Sequence, residues 1–261
     1  MLRSLSTAAT GMIAQQVNID VISNNLANVN TTGYKKNRAE FQDLLSQTIR
    51  APGAQVAQGT YQPTGIQVGL GVKNSAIQRV NTQGVMQSTD NPLCVAIQGE
   101  GFFQIQMDDG TVAYTRDGNF KMDANGQLVT SDGFQIQPQI SIPQDATSIS
   151  ITSGGKVTVA QPGSPEMTEI GTLELVRFPN PAGLLSLGKN LYQETSASGT
   201  PVQGTANQEG FGSLEQGFLE GSNVQVVEEM INLITAQRAF EANSNVIRAS
   251  DEALKTVNRI V

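Results

Sequence analysis

Apolar residues recur every seven positions at both ends of the chain. Near the C-terminus the series is Val226, Leu233, Phe240, Ile247, Leu254 and Val261. Near the N-terminus it is Leu5, Met12, Ile19 and Leu26, with Ala8, Ile22 and Val29 at the alternate positions. A seven-residue repeat is underwound relative to a free helix, so such helices wrap around partners in a left-handed supercoil. Each end therefore predicts a long helix, and the paired seams predict that the termini come together with the middle looped out. The C-terminal helix is expected to open at Ser222 or Asn223, with Glu228 and Glu229 at the positive end of its dipole. From Val226 to Val261 such a helix spans roughly 54 Å, long for a chain with so little else to pack against it.

Each helix also carries a second apolar stripe beside the seam. On the first it is Ile13, Val17 and Val21; on the second it is Val227, Ile231 and Ile234. Residues 1–29 hold only two charged side chains, Arg3 and Asp20. A helix on the outside of a soluble protein normally keeps a charged face toward water. These helices are expected to need neighbours on more than one side: the seam to join the pair, and the second stripes to join subunits.

Asn30-Thr31-Thr32-Gly33 ends the first helix with residues that suit turns. A short helix is expected over about residues 38–50, with Phe41, Leu44, Leu45 and Ile49 on one side. Residues 51–71 lack a helical period and are rich in Gly, Gln, Thr and Pro, and so read as an extended arm. From about residue 72 to 220 strand-like runs alternate with turn signals at spacings that suggest a sandwich or open barrel. Asp109-Gly110, Asp117-Gly118, Asn125-Gly126 and Asp132-Gly133 are expected hairpin turns, since tight hairpins require positive φ. The predicted fold is α+β. Its helical core domain is built from residues 1–30 and 221–261, paired in coiled-coil fashion. A connector covers 31–75, and a central, mostly antiparallel β domain covers 76–220.

Composition removes whole classes of function. Only 15% of the residues are charged, and the net charge is −7, which argues against a surface that neutralises nucleic-acid phosphate. Histidine is absent, which removes the commonest general base and transition-metal ligand. Cys94 is the only cysteine, so no internal disulfide and no thiolate cluster can form. No segment approaches the roughly 20 apolar residues of a membrane span. The acidic turns lack the alternating ligands of a calcium loop, and Lys121 stands where a ligand belongs. No catalytic, cofactor or metal site is expected.

Two long stretches resemble bacterial flagellar rod and hook proteins. One is Ser23-Asn24-Asn25-Leu26-Ala27-Asn28-Val29-Asn30-Thr31-Thr32-Gly33-Tyr34-Lys35-Lys36. The other runs from Gly221-Ser222-Asn223-Val224-Gln225-Val226 through Ala236-Gln237-Arg238-Ala239-Phe240 to Ser244. Gly99-Glu100-Gly101-Phe102-Phe103 and Tyr114-Thr115-Arg116-Asp117-Gly118 also look like the family's β domain. Within the family, residues 50–55 and 65–72 look most like the distal rod members, with proximal rod members next and hook members further off. The resemblance implies a structural subunit of the basal body, exported through the flagellar type III apparatus without a cleaved signal peptide. It implies assembly with copies of itself beneath a rod cap into a hollow helical shaft. The implied neighbours are proximal rod subunits, the hook protein and the P-ring and L-ring proteins. Two other classes remain open on the residues alone: a coiled-coil fibre or adhesin with a β head, and, more weakly, an enzyme acting on peptidoglycan.

Overall fold

The computed structural model describes residues 2–51, 55–57, 60–61, 64–162 and 167–260. Val261, which closes the heptad series, and Pro52, Gly53 and Ala54 of the arm lie outside them. Two helices flank a central β region in which the strand pairings are antiparallel. The chain divides into two compact units. One comprises Met1–Ala27, Asn37–Gln78 and Gln225–Val261; the other comprises Asn28–Lys36 and Arg79–Val224.

In the first unit, helix α1 spans Leu2–Ala27 and helix α2 spans Val226–Ile260. The first turn of α2 does carry Glu228 and Glu229, but the helix starts later than the Ser222/Asn223 cap predicts. Those side chains are engaged elsewhere. Ser222 Oγ accepts from the Val224 amide at 3.2 Å, and Asn223 Oδ1 accepts from the Lys36 amide at 2.7 Å.

Residues 38–50 are not a helix. They form two strands, Asn37–Asp43 and Gln47–Arg50, which pair with Val72–Arg79 and Ile66–Val68 respectively. An i, i+4 stripe stabilises a helix only when something covers it, and Phe41, Leu45 and Ile49 are all exposed. The ladders instead satisfy the backbone, helped by Leu44 N–H donating to Gly71 O at 2.9 Å. The arm carries antiparallel ladders between Ile66–Val68 and Gln47–Arg50 and between Gln55–Ala57 and Thr60–Tyr61. Its base is seated on α1, where Thr10 Oγ1 accepts from the Val72 amide at 3.4 Å.

The second unit is organised around the strand Phe102–Gln106. One edge pairs with Val112–Thr115; the other pairs with Gln135–Gln137 and with Glu174–Arg177. Side chains alternate across a strand. Phe103 and Ile105 face inward, and Phe103 joins Phe120, Ile136, Leu175, Val157 and Val159 in the main core. The last two come from a three-stranded sheet of Ser148–Ile151, Lys156–Ala160 and Thr168–Thr172. On the opposite face Phe102, Tyr114, Phe178 and Tyr192 form a smaller aromatic cluster with edge-to-face contacts. Beside it lies a row of paired amides. Gln203 Nε2 donates to Gln104 Oε1 at 2.6 Å, and Gln137 Nε2 to Gln106 Oε1 at 2.6 Å. Gln139 Nε2 donates to Gln135 Oε1 at 2.7 Å, and Gln135 Nε2 to Gln127 Oε1 at 2.8 Å.

Three of the expected hairpin turns are present: Gly110, Gly126 and Gly133 have φ of 79°, 80° and 91°. Asp117-Gly118 is not one. The strands on either side of it, Val112–Thr115 and Lys121–Met122, do not pair with each other. Gly118 is required there for a different reason: a Cβ would lie 1.6 Å from Val95 O, the same backbone whose N–H donates to Gly118 O at 3.0 Å. Gly118→Ala must push that strand aside and is expected to cost about 3 kcal/mol or more. Gly110→Ala meets no atom within 4 Å and should cost only about 1–2 kcal/mol of left-handed strain. Thermal unfolding of the two variants checks the ranking.

Candidate assembly interface

The two helices run antiparallel. Ser4 Oγ lies 3.5 Å from Ser250 Oγ, a Cβ on Gly11 would lie 2.9 Å from Asn243 Nδ2, and Asn25 Nδ2 donates to Glu229 Oε2 at 3.3 Å. Seven residues forward on α1 match seven residues back on α2. The line of closest approach therefore follows small and polar residues, which let backbones come near one another. Among the described residues, Ala8, Ala14, Val21, Ile22 and Asn25 are the buried side chains of α1, with Glu229 and Ala236 on α2.

The expected apolar seam lies alongside this line. Leu5, Met12, Ile19 and Leu26 are half-buried, as are Leu233, Ile247 and Leu254, whereas Val226 and Phe240 are exposed. The second stripes divide. On α2, Val227, Ile231 and Ile234 stand open at 72%, 59% and 51% exposure, joined by Met230. On α1 the stripe passes from exposed Ile13 through half-buried Val17 to buried Val21. A four-residue step overshoots a full turn by roughly 40°, so these three residues wind from solvent into the helix pair.

Of the signature residues, Asn24, Ala27, Gln237 and Arg238 are exposed, and Asn28 is half-buried. Buried Asn25 brackets the first signature: its Oδ1 accepts from the Asn37 amide at 2.9 Å and its Nδ2 donates to Asn37 O at 2.8 Å. Val224 is buried just ahead of α2. Gly33, at φ 67°, donates its N–H to Glu220 O at 2.8 Å. A Cβ there would sit 2.9 Å from the Asp117 backbone nitrogen. Asn223 completes a second bridge, donating to Val80 O at 2.9 Å while accepting from Lys36.

Beside the Gly33 and Asn223 contacts lies a group that sequence reasoning missed. Glu220 is fully enclosed; its Oε1 accepts from Lys35 Nζ at 2.6 Å and its Oε2 from Arg116 Nε at 2.6 Å. Gly84 N–H also donates to Oε1 at 2.9 Å, Lys35 Nζ to Thr82 O at 2.7 Å, and Arg116 Nη1 to Gly101 O at 2.7 Å. The only sequence hint is that Lys35, Arg116 and Glu220 lie within or beside the family-like segments of a sparsely charged chain. Burial opposes the charge on Glu220, but Arg116 and Lys35 outweigh it and hold the carboxyl below the ordinary glutamate value. Burial lowers Lys35, against the opposing pull of Glu220. No group of three His, Cys, Asp or Glu among the described residues could hold a metal ion, and no described helix is long and apolar enough to cross a membrane.

A carboxyl with a depressed folded pKa releases its proton more readily in the folded chain than in the unfolded one. Its stabilising contribution is complete above the unfolded glutamate value of about 4.3 and is lost as pH falls through the lower folded value. The melting temperature should therefore drop on acidification below that point. Glu220→Gln should flatten this dependence while lowering stability at pH 7 by about 3–5 kcal/mol, because two buried cations lose their counter-charge. Melting curves across the acid range check both effects.

Three family models match the chain. Residues 5–35 match the model for flagella basal body rod proteins. Residues 96–159 match the D1 domain of the flagellar hook protein FlgE/F/G, and residues 215–260 the C-terminal region of the flagellar basal body rod FlgEFG proteins. The flagellar basal-body rod protein FlgG of Borreliella burgdorferi is 50% identical over 100% of this chain and 99% of its own length. FlgG of Bacillus subtilis is 44% identical over 98% and 97%. The hook-basal body complex protein FlhP of the same organism is 32% identical over the full length of both. Identity is thus higher to the rod proteins named FlgG than to FlhP. The chain belongs to the FlgG family of flagellar basal-body rod proteins, structural subunits of the bacterial flagellum rather than enzymes.

Proposed function

We propose that this chain polymerises through its terminal helices into the distal rod, a rigid hollow shaft that carries torque from motor to hook. The observation that carries this reading is the open apolar row Val227, Met230, Ile231 and Ile234 on α2. Exposed apolar residues in a contiguous group mark contact surfaces, and burying a large one contributes on the order of 1.5–3 kcal/mol. In the assembled rod, α1 and α2 pair in coiled-coil fashion through Leu5, Met12, Ile19 and Leu26 with Leu233, Phe240, Ile247 and Leu254. The row on α2, with Ile13 of α1, then meets neighbouring copies. Helical repetition multiplies each contact along the lattice and stiffens it.

The arm is a brace between subunits in this scheme. Ile66 and Leu70 are exposed along it. The β region faces outward, toward the P-ring and L-ring proteins, and the ends of the shaft meet proximal rod subunits and the hook protein. Subunits reach the growing end through the type III apparatus beneath a rod cap.

Replacing Val227 and Ile231 together by Asp puts two charges in the proposed lattice contact without touching the buried line between the helices. The purified variant should keep its circular dichroism spectrum and melting temperature, while cells that carry it lose swimming and hook-bearing rods. Normal motility would remove this row from the assembly. Ile66→Ser with Leu70→Ser should leave rods that form but are bent or irregular under electron microscopy. Straight rods would exclude the arm as a brace.

A further inference from the structure

Residues 28–36 are flanked in sequence on both sides by segments of the helical unit, yet they pack as part of the β unit. Their contacts reach four separate regions of it. Asn190 Nδ2 donates to Thr32 O at 3.1 Å, and the Gly33 backbone fits against that of Arg116 and Asp117. Lys35 bonds Glu220 and Thr82; Lys36 O accepts from the Val80 amide at 2.9 Å while its own N–H meets Asn223. Every one of these partners lies far along the chain, the Lys35–Glu220 separation being 185 residues.

We propose that this segment is a clasp: the β unit reaches its stable fold only when residues 28–36 are seated, and the Lys35–Glu220–Arg116 cluster locks the seat. The reasoning is electrostatic. Without Lys35, Glu220 keeps a single cation and the Thr82 carbonyl loses its donor; if the segment leaves, Asn223 Oδ1 loses the Lys36 amide as well. A buried ionised group stripped of a partner is strongly unfavourable. Loss of the clasp therefore reaches the whole unit and does not stop at its rim. Both ends of the chain contribute, Gly33 and Lys35 from one and Glu220 and Asn223 from the other, so a chain made from its N-terminus completes this unit only after residue 223 is available. This inference concerns folding within one chain and stands whether or not the helices polymerise as proposed.

Hydrogen exchange on the full-length chain tests it at two places, the Gly33 amide and the amides of the central strand Phe102–Gln106. Lys35→Met keeps the aliphatic stem and removes the charge. It is expected to accelerate exchange at both places by about 100-fold or more, whereas Lys35→Arg should stay within about tenfold of the natural chain. Acceleration at Gly33 with the central strand unchanged would show a passive appendage and overturn the clasp, as would no change at either place. If Lys35→Met does not fold, the natural chain decides the question in increasing urea. A clasp makes the Gly33 and Phe102–Gln106 amides open together, and an appendage releases Gly33 first.

Discussion

An ionised carboxylate shut away from water is tolerable only in the company of its counter-charges, and the β unit is built around that requirement. Glu220 has no exposed surface, so Lys35 and Arg116 must both reach it. Holding those cations in place recruits backbone as well, since Thr82 and Gly101 carbonyls take up their remaining hydrogens. The glycines follow from the same demand. Gly33 and Gly84 bring main chain so near the cluster that a Cβ on either would strike backbone. Replacing such a network with apolar residues of similar volume is often neutral or stabilising in proteins. Its value here is specificity: it accepts one arrangement of four distant segments and rejects others.

The helical unit is governed by a different constraint, closeness. A Cβ on Gly11 would meet the Asn243 amide and Ser4 lies beside Ser250, so small side chains stand where the helices come nearest. The larger apolar residues are displaced to the flanks, where they are half-buried or exposed. A helix pair that used its Leu, Ile and Phe residues fully on itself would have nothing to offer a neighbour. This pair withholds part of its apolar surface, and relatives across the family are rod proteins.

Features encoded within a few residues were readable from sequence. The heptad spacing located both helices, and the Asp-Gly and Asn-Gly pairs at 109–110, 125–126 and 132–133 located their turns. What failed depended on distant partners. Residues 38–50 carry a helical apolar spacing, but the strands Ile66–Val68 and Val72–Arg79 outbid it. Asp117-Gly118 has turn composition, yet its glycine answers to Val95, more than twenty positions away. Ser222 and Asn223 look like helix caps until the Val224 and Lys36 amides claim them. The ion cluster was the least legible, because nothing local in Lys35, Arg116 or Glu220 distinguishes a buried triad from three solvated charges. Similarly, the heptad positions marked which faces of the helices were apolar, but not that the small residues beside them would make the closest contact.

The row of paired glutamines on the central sheet has a consequence for the conditions under which the surface works. Its polarity comes from amides that bond one another, Gln203 with Gln104 and Gln137 with Gln106, and not from ions. Dissolved salt screens charges over a distance of about 8–10 Å at ordinary ionic strength, but it has little hold on a neutral dipole. A face built this way keeps nearly the same affinity for water and for its surroundings in dilute and in concentrated medium.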